Sequence, residues 1–181
     1  MEHRKLVLYI SMSLDGFLAK ENDDLSWLSI VEKEGEDYGY GKMMERCDAY
    51  IVGRRTYDVV LGLTGGEFPQ SKMFECYVIT RQEIESKSGV KFYNGDLEAL
   101  VQKLKSKPGK DIYCDGGGQI VKMLMEKNLI DEYIVSVIPT VIGSGKRLFK
   151  GGINGLNIDL IESKQFESGL AQLRYKKKTN E

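Results

Sequence analysis

Short apolar runs recur along the chain, separated by polar or glycine-rich stretches, and their internal spacing takes two forms. Leu6 to Ser11, Asp48 to Gly53, Cys76 to Thr80, Val90 to Tyr93, Asp111 to Cys114 and Tyr133 to Ile138 are brief and rich in β-branched and aromatic residues. They read as buried strands. Between them lie stretches of helical period. Leu97, Leu100, Val101 and Leu104 form one apolar stripe behind an Asp96 N-cap, and Pro108-Gly109 ends it. A second stripe, Ile120, Val121, Leu124 and Met125, follows Gly116 to Gly118. Arg54-Arg55-Thr56-Tyr57 opens another helix directly after a strand, and Ile30 to Arg46 is a weaker helical candidate broken by Gly35, Gly39 and Gly41. Pro139 to Gly152 reads as a glycine-rich loop. Asn157 to Phe166 and Leu170 to Lys176 read as a closing hairpin turning at Ser168-Gly169. Alternating strands and helices followed by strands predict an α/β fold, its sheet mainly parallel with an antiparallel C-terminal edge.

Composition narrows the function more than the fold. With 181 residues, 41% hydrophobic and 29% charged, the chain has the profile of one ordinary globular domain over residues 1–181. Twenty-six Lys plus Arg against 27 Asp plus Glu leave a net charge of −1, so no global field recruits nucleic acid or an anionic membrane. Any anion binding must be local. Cys47, Cys76 and Cys114 are odd in number and widely spaced, against a disulfide framework or zinc site. No apolar run is long enough to span a membrane, and the first apolar stretch reads as a strand rather than a signal peptide. A cytoplasmic location is the default expectation.

Local anion sites are present at strand ends. Ligands of open α/β sheets sit beyond the carboxyl ends of strands, where helix N-termini present unpaired amides and a positive dipole end. Gly53-Arg54-Arg55-Thr56 offers a glycine, two guanidiniums and a hydroxyl there. Gly116-Gly117-Gly118-Gln119 offers exposed backbone amides. Thr80-Arg81 adds one more hydroxyl and cation. Together they suit a pyrophosphate and an additional phosphate, and hence NADPH rather than NADH. Each motif also has a plain reading. A glycine triplet serves equally as a left-handed turn, paired arginines are often solvated, and the G-x-G-x-x-G fingerprint is absent.

In combination the motifs resemble a known group. DAYIVGRRTYD is similar to the GR-x-T-aromatic segment of dihydrofolate reductases, and DIYCDGGGQIVKMLM to their strand–glycine–helix segment. YISMSLDGFLA and Trp27 resemble their first strand and following loop. PTVIGSGKRLF resembles a segment of the RibD C-terminal domain, the reductase domain of riboflavin-biosynthesis proteins, and Ser13 to Gly16 fits the same branch. The resemblance implies a dihydrofolate-reductase-like three-layer fold, with a mixed eight-stranded sheet between helices, and a homodimer. It implies NADPH as cofactor, bound by Ser11, Gly53, Arg54, Arg55, Thr56, Thr80, Arg81, Gly116, Gly117, Gly118, Gln119 and Ile120. In that scheme Gly53 to Thr56 take the pyrophosphate, and Thr80 and Arg81 take the 2′-phosphate. A cis peptide between the first two glycines of the triplet is also implied.

Hydride transfer to C=N or C=O needs a positioned nicotinamide, a dry pocket and a proton source. Asp115 stands where the riboflavin branch has a glutamate, and Tyr9 where it has a lysine. The cation of that branch is therefore missing, which puts a phosphoribosyl substrate in question. Tyr9 either donates a hydrogen bond or packs. Glu32, counted from Trp27, is either a ring-binding carboxylate or part of a solvated acidic face. Asp15 either touches substrate or makes an Asp-Gly turn. Trp27 and Ser136 complete the substrate-side candidates, and His3 precedes the first strand and is not one. The activity implied is that of a 5-amino-6-(5-phosphoribosylamino)uracil reductase. The alternatives are dihydrofolate reduction, a nucleotide-binding module without turnover, and a purely structural dimer.

Overall fold

The computed structural model describes residues 3–87, 89–153 and 155–178. Ten strands form: β1 (Leu6–Ser13), β2 (Phe17–Ala19), β3 (Cys47–Gly53), β4 (Glu75–Ile79), β5 (Val90–Tyr93), β6 (Asp111–Gly116), β7 (Glu132–Ile138), β8 (Lys146–Arg147), β9 (Ile158–Gln165) and β10 (Ala171–Lys177). Four α-helices accompany them: α1 (Tyr40–Glu45), α2 (Arg54–Leu63), α3 (Leu97–Lys105) and α4 (Gly118–Glu126). The main sheet runs β5-β4-β3-β6-β1-β7-β10-β9. Its first six strands are parallel, and β10 and β9 add antiparallel edges. This is the mixed sheet expected.

Alternation along each strand divides the core between two faces. Leu6, Leu8 and Ile10 of β1 join Ile51, Ile112 and Cys114 under the stripes of α3 and α4. Val7 joins Tyr50, Val52, Tyr113 and Cys76 on the other face, covered by Met43 of α1, Tyr57 of α2 and Phe68 and Phe74. Asp96 caps α3 by accepting from Ala99 N at 2.8 Å. All three cysteines are buried and free.

Two expectations need correction. The stretch from Ile30 to Arg46 is not one helix: a 3-10 turn ends at Val31, and only Tyr40–Glu45 is α-helical. Between them Gly35, Tyr38 and Gly39 take positive φ, so the chain turns where the sequence placed its glycines. The Pro139–Gly152 loop is also not free of regular structure. It contributes β8, which pairs with β2 in a small second sheet.

Candidate functional site

Parallel pairing brings the carboxyl ends of β3, β4 and β6 into line. Gly53 lies opposite Ile79, and Val52 opposite Gly116. Beyond these ends runs a cleft of about 1130 Å³. A pocket for one small ligand occupies ~300–1,000 Å³, and this cleft lies just above that range.

One limb of the cleft is cationic. Gly53 and Gly117 are the N-caps of α2 and α4, and neither helix has a side-chain cap or an acidic residue in its first turn. Ser11, Gly53, Arg54, Arg55, Thr56, Thr80 and Arg81 all line the cleft, as do Gly117, Gly118, Gln119 and Ile120. Gly116, just behind, joins Gly117 through a cis peptide bond. Arg54 Nε donates to both carboxylate oxygens of Asp58, at 2.8 and 2.9 Å, and its guanidinium lies 5.6 Å from the Phe92 ring centre. Arg55 pairs with Asp23 at 2.9 Å. Arg81 and Lys150 form no ion pair with another described residue.

Lys146, Arg147 and Lys150 were missed as site residues by the sequence reasoning, although the PTVIGSGKRLF segment carries two of them. Their delivery depends on loop folding. Asp15 accepts from Ser13 Oγ at 2.6 Å, Ile142 N at 3.1 Å and Gly143 N at 2.7 Å. These bonds hold its carboxyl down at about 2, the Ser13 hydroxyl contributing most. A side chain at Gly145 would collide with the Ala19 carbonyl, and one at Gly118 with the Arg147 carbonyl. Only glycines let the loop close against β2 and the start of α4. Asp15 thus works as a loop clasp and does not line the cleft.

The other limb is aromatic. The register of β6 on β3 slips between Cys114 and Gly116, leaving Asp115 as the extra residue of a β-bulge. By the two-residue alternation of a strand, Asp115 faces the same side as Tyr113. Tyr113 Oη donates to Asp115 at 3.0 Å, and Tyr50 Oη donates to its other oxygen. Burial pushes the Asp115 carboxyl up to about 6, against the downward pull of both phenols. Tyr9 also lines this limb, its ring edge-on to Tyr113 at 6.3 Å. Its hydroxyl donates to the Tyr38 carbonyl at 3.1 Å. Tyr50, Tyr38, Tyr40 and Gln172 carried no signal in the sequence, because they come together from three separate segments.

Three substrate-side candidates lie elsewhere. Trp27 is 4% exposed and packs with Val31, Ile138, Phe166 and Leu170. Glu32 is solvent-exposed at the end of the 3-10 turn. Ser136, 2% exposed, accepts from Gln172 Nε2 at 3.1 Å, and the same nitrogen donates to the Tyr38 carbonyl at 3.0 Å. None of the three lines the cleft. The first packs in a small core cluster, the second faces solvent, and the third is bonded to Gln172, which also holds the Tyr38 carbonyl.

Among the described residues no helix is long and apolar enough to cross a membrane, and no cluster of His, Cys, Asp and Glu could hold a metal ion. The model of the RibD C-terminal domain matches residues 4–172. YwjB of Bacillus subtilis is 41% identical over 174 residues, covering 95% of this chain and 97% of that protein. YyaP of the same organism is 27% identical, covering 97% and 96%. A putative riboflavin biosynthesis protein from Shewanella sp. PV-4 superposes with a TM-score of 0.87 at 29% identity, over 97% of this chain and 99% of that one. The fold is shared by a diaminohydroxyphosphoribosylaminopyrimidine deaminase/5-amino-6-(5-phosphoribosylamino)uracil reductase from Thermotoga maritima. There the TM-score is 0.73 at 16% identity, with 97% of this chain and 57% of that one covered. Matched in sequence over nearly its whole length and in fold to riboflavin-pathway proteins, the chain belongs to the RibD C-terminal domain family.

Proposed function

We propose that this protein is an NADPH-dependent reductase that transfers a hydride to a pyrimidine- or pterin-like heterocycle. The observation that carries the reading is one cleft with two chemistries. Two uncapped helix N-termini and unpaired cations occupy one limb, and a raised carboxyl occupies the other.

The residues present fit the cofactor. Arginines in the first turn of a helix oppose its dipole. Arg54 and Arg55 are each held by a carboxylate, Asp58 and Asp23, and a phosphate at the α2 N-terminus would compete for the same guanidiniums. In this reading Gly53 to Thr56 hold the pyrophosphate. Thr80 and Arg81 hold the 2′-phosphate, and Gly116 to Gln119 the path to the nicotinamide, with Ser11 and Ile120 alongside. NADPH supplies the hydride. Asp115 holds the proton that must accompany it, because its carboxyl titrates near neutrality, where an acid can both keep and release a proton. Tyr50 and Tyr113 fix that carboxyl and keep water from the oxygens they occupy. Tyr9 is a wall of the ring pocket.

Dihydrofolate reduction is the weaker alternative, since Glu32 is turned to solvent. A binding module without turnover is favoured by one feature: the Tyr9 hydroxyl is already engaged. Following the loss of nicotinamide absorbance with aminouracils, pterins and dihydrofolate separates these. Oxidation with an aminouracil or pterin supports the reductase. Tight NADPH binding without oxidation across the series supports the module.

A further inference from the structure

The loop from Pro139 to Gly152 carries three cations into the cleft, Lys146, Arg147 and Lys150. Two of them are already engaged. Lys146 pairs with Asp23. Arg147 donates to the Asp15 carbonyl at 3.2 Å and lies 4.4 Å from the Phe17 ring centre. Lys150 forms no ion pair with another described residue. Its backbone is nonetheless well placed. The Asp15 carboxylate accepts from the amides of Ile142 and Gly143, and the Gly16 carbonyl accepts from Leu148 N at 2.9 Å. The loop is thus tied to the turn after β1 on both sides of Gly145, and Leu148 is fully buried. Lys150 follows two residues later. A side chain at Gly118, where α4 begins, would meet Lys150 Cε at 3.4 Å. A side chain at the neighbouring Gly117 would stand 3.1 Å from Thr56 Oγ1 in the first turn of α2. The fixed loop therefore sets an unpaired ammonium beside the point where the first turns of α2 and α4 meet.

We infer that Lys150 binds the diphosphate of the dinucleotide, the part that NADPH and NADH share. The inference rests on the reductase reading for the identity of the ligand, and on the position of Lys150 for the phosphate. Arg54 and Arg55 each hold a carboxylate, so a phosphate that takes them exchanges one ion pair for another. Lys150 has no such partner to give up, so a phosphate there adds an ion pair. Its flexible stem lets the ammonium follow a phosphate oxygen without the fixed fork geometry of a guanidinium. Neither helix has an acidic residue in its first turn, so the positive ends of their dipoles repel the ammonium until an anion lies between. The two unpaired cations of the cleft then divide the cofactor. Arg81, beyond the end of β4, reads the 2′-phosphate, and Lys150, at the start of α4, reads the diphosphate.

Calorimetric titration of the whole protein with NADPH, NADH, inorganic pyrophosphate and ribose 5-phosphate tests this. Lys150→Gln should weaken the first three by about the same factor, roughly tenfold, and Lys150→Arg should restore most of the loss. Lys122→Gln, which removes a charge from α4 outside the cleft lining, should leave all of them unchanged. Unchanged affinities in Lys150→Gln overturn the inference, as does an equal loss in Lys122→Gln or a loss confined to NADPH. A loss confined to ribose 5-phosphate also overturns it, because Lys150 would then serve a phosphate on the acceptor. Should the unaltered protein hold pyrophosphate through Lys150 but bind neither dinucleotide, the reductase reading falls and the phosphate role stands. Should NADPH bind the unaltered protein and Lys150→Gln equally well, the phosphate role falls and the reductase reading stands. Failure of all four to bind at millimolar concentration overturns both.

Discussion

The two limbs of the cleft are built by different rules. The cationic limb is assembled from contiguous peptides, each a strand end running into a helix or turn: Gly53 to Thr56, Thr80-Arg81, and Gly116 to Ile120. Its groups range from buried Gly53 to exposed Arg55 and Arg81, and are presented largely by backbone geometry. The aromatic limb is assembled from scattered residues of β1, β3, β6 and the 38–40 segment, joined by part-buried side-chain hydrogen bonds. A limb of the first kind binds a ligand whose recognition is mostly electrostatic. A limb of the second kind selects by shape and by one carboxyl.

The largest effect expected from this division is at Asp115. Asp115→Asn keeps the shape of the carboxyl but cannot hold an acidic proton. Turnover should fall by about 10²–10⁴-fold while NADPH affinity is retained. Stopped-flow chemistry and cofactor titration on the same sample separate the two, and a parallel loss of both would break the division into limbs. A smaller effect belongs to Arg81. Losing a charged hydrogen bond costs about 1.5–3 kcal/mol, roughly a tenfold to hundredfold loss of NADPH affinity. NADH should be almost unaffected by Arg81→Ala. An equal loss for both cofactors would remove the 2′-phosphate from Thr80 and Arg81.

The smallest effect is a displacement in pH. Asp115 carries its proton below about 6, so turnover that needs this proton should decline as pH rises through that value. The Tyr50 phenol lowers the carboxyl by donating to it. Tyr50→Phe should therefore raise the Asp115 value and move the decline toward higher pH. A shift in the acid direction would contradict the role given to Tyr50.

Most of the sheet was legible in the sequence because its strands are short apolar runs whose ends are marked by Gly, Asp or Pro. The cationic limb was legible for the same reason, since each motif is local. The 30–46 stretch misled because Met43 and Met44 sit in a real but short helix, while Gly35 and Gly39 break the chain before it. Trp27, Glu32 and Ser136 failed to reach the cleft for tertiary reasons: loop packing, exposure and a partner in Gln172. Nothing in Tyr50 or Gln172 marks them locally, since both gain their roles only across strands β3–β6 and β7–β10. Lys146 and Lys150 were hidden because the loop that carries them is positioned by Asp15, a residue whose role is itself tertiary.

The central claim is that the cationic limb holds NADPH and distinguishes it from NADH. Titrating the protein with each cofactor and following nicotinamide fluorescence tests it most directly. Saturable NADPH binding at least tenfold tighter than that of NADH, weakening with added salt as phosphate contacts do, is the predicted result. No binding of either cofactor, or indifference between them, would contradict it.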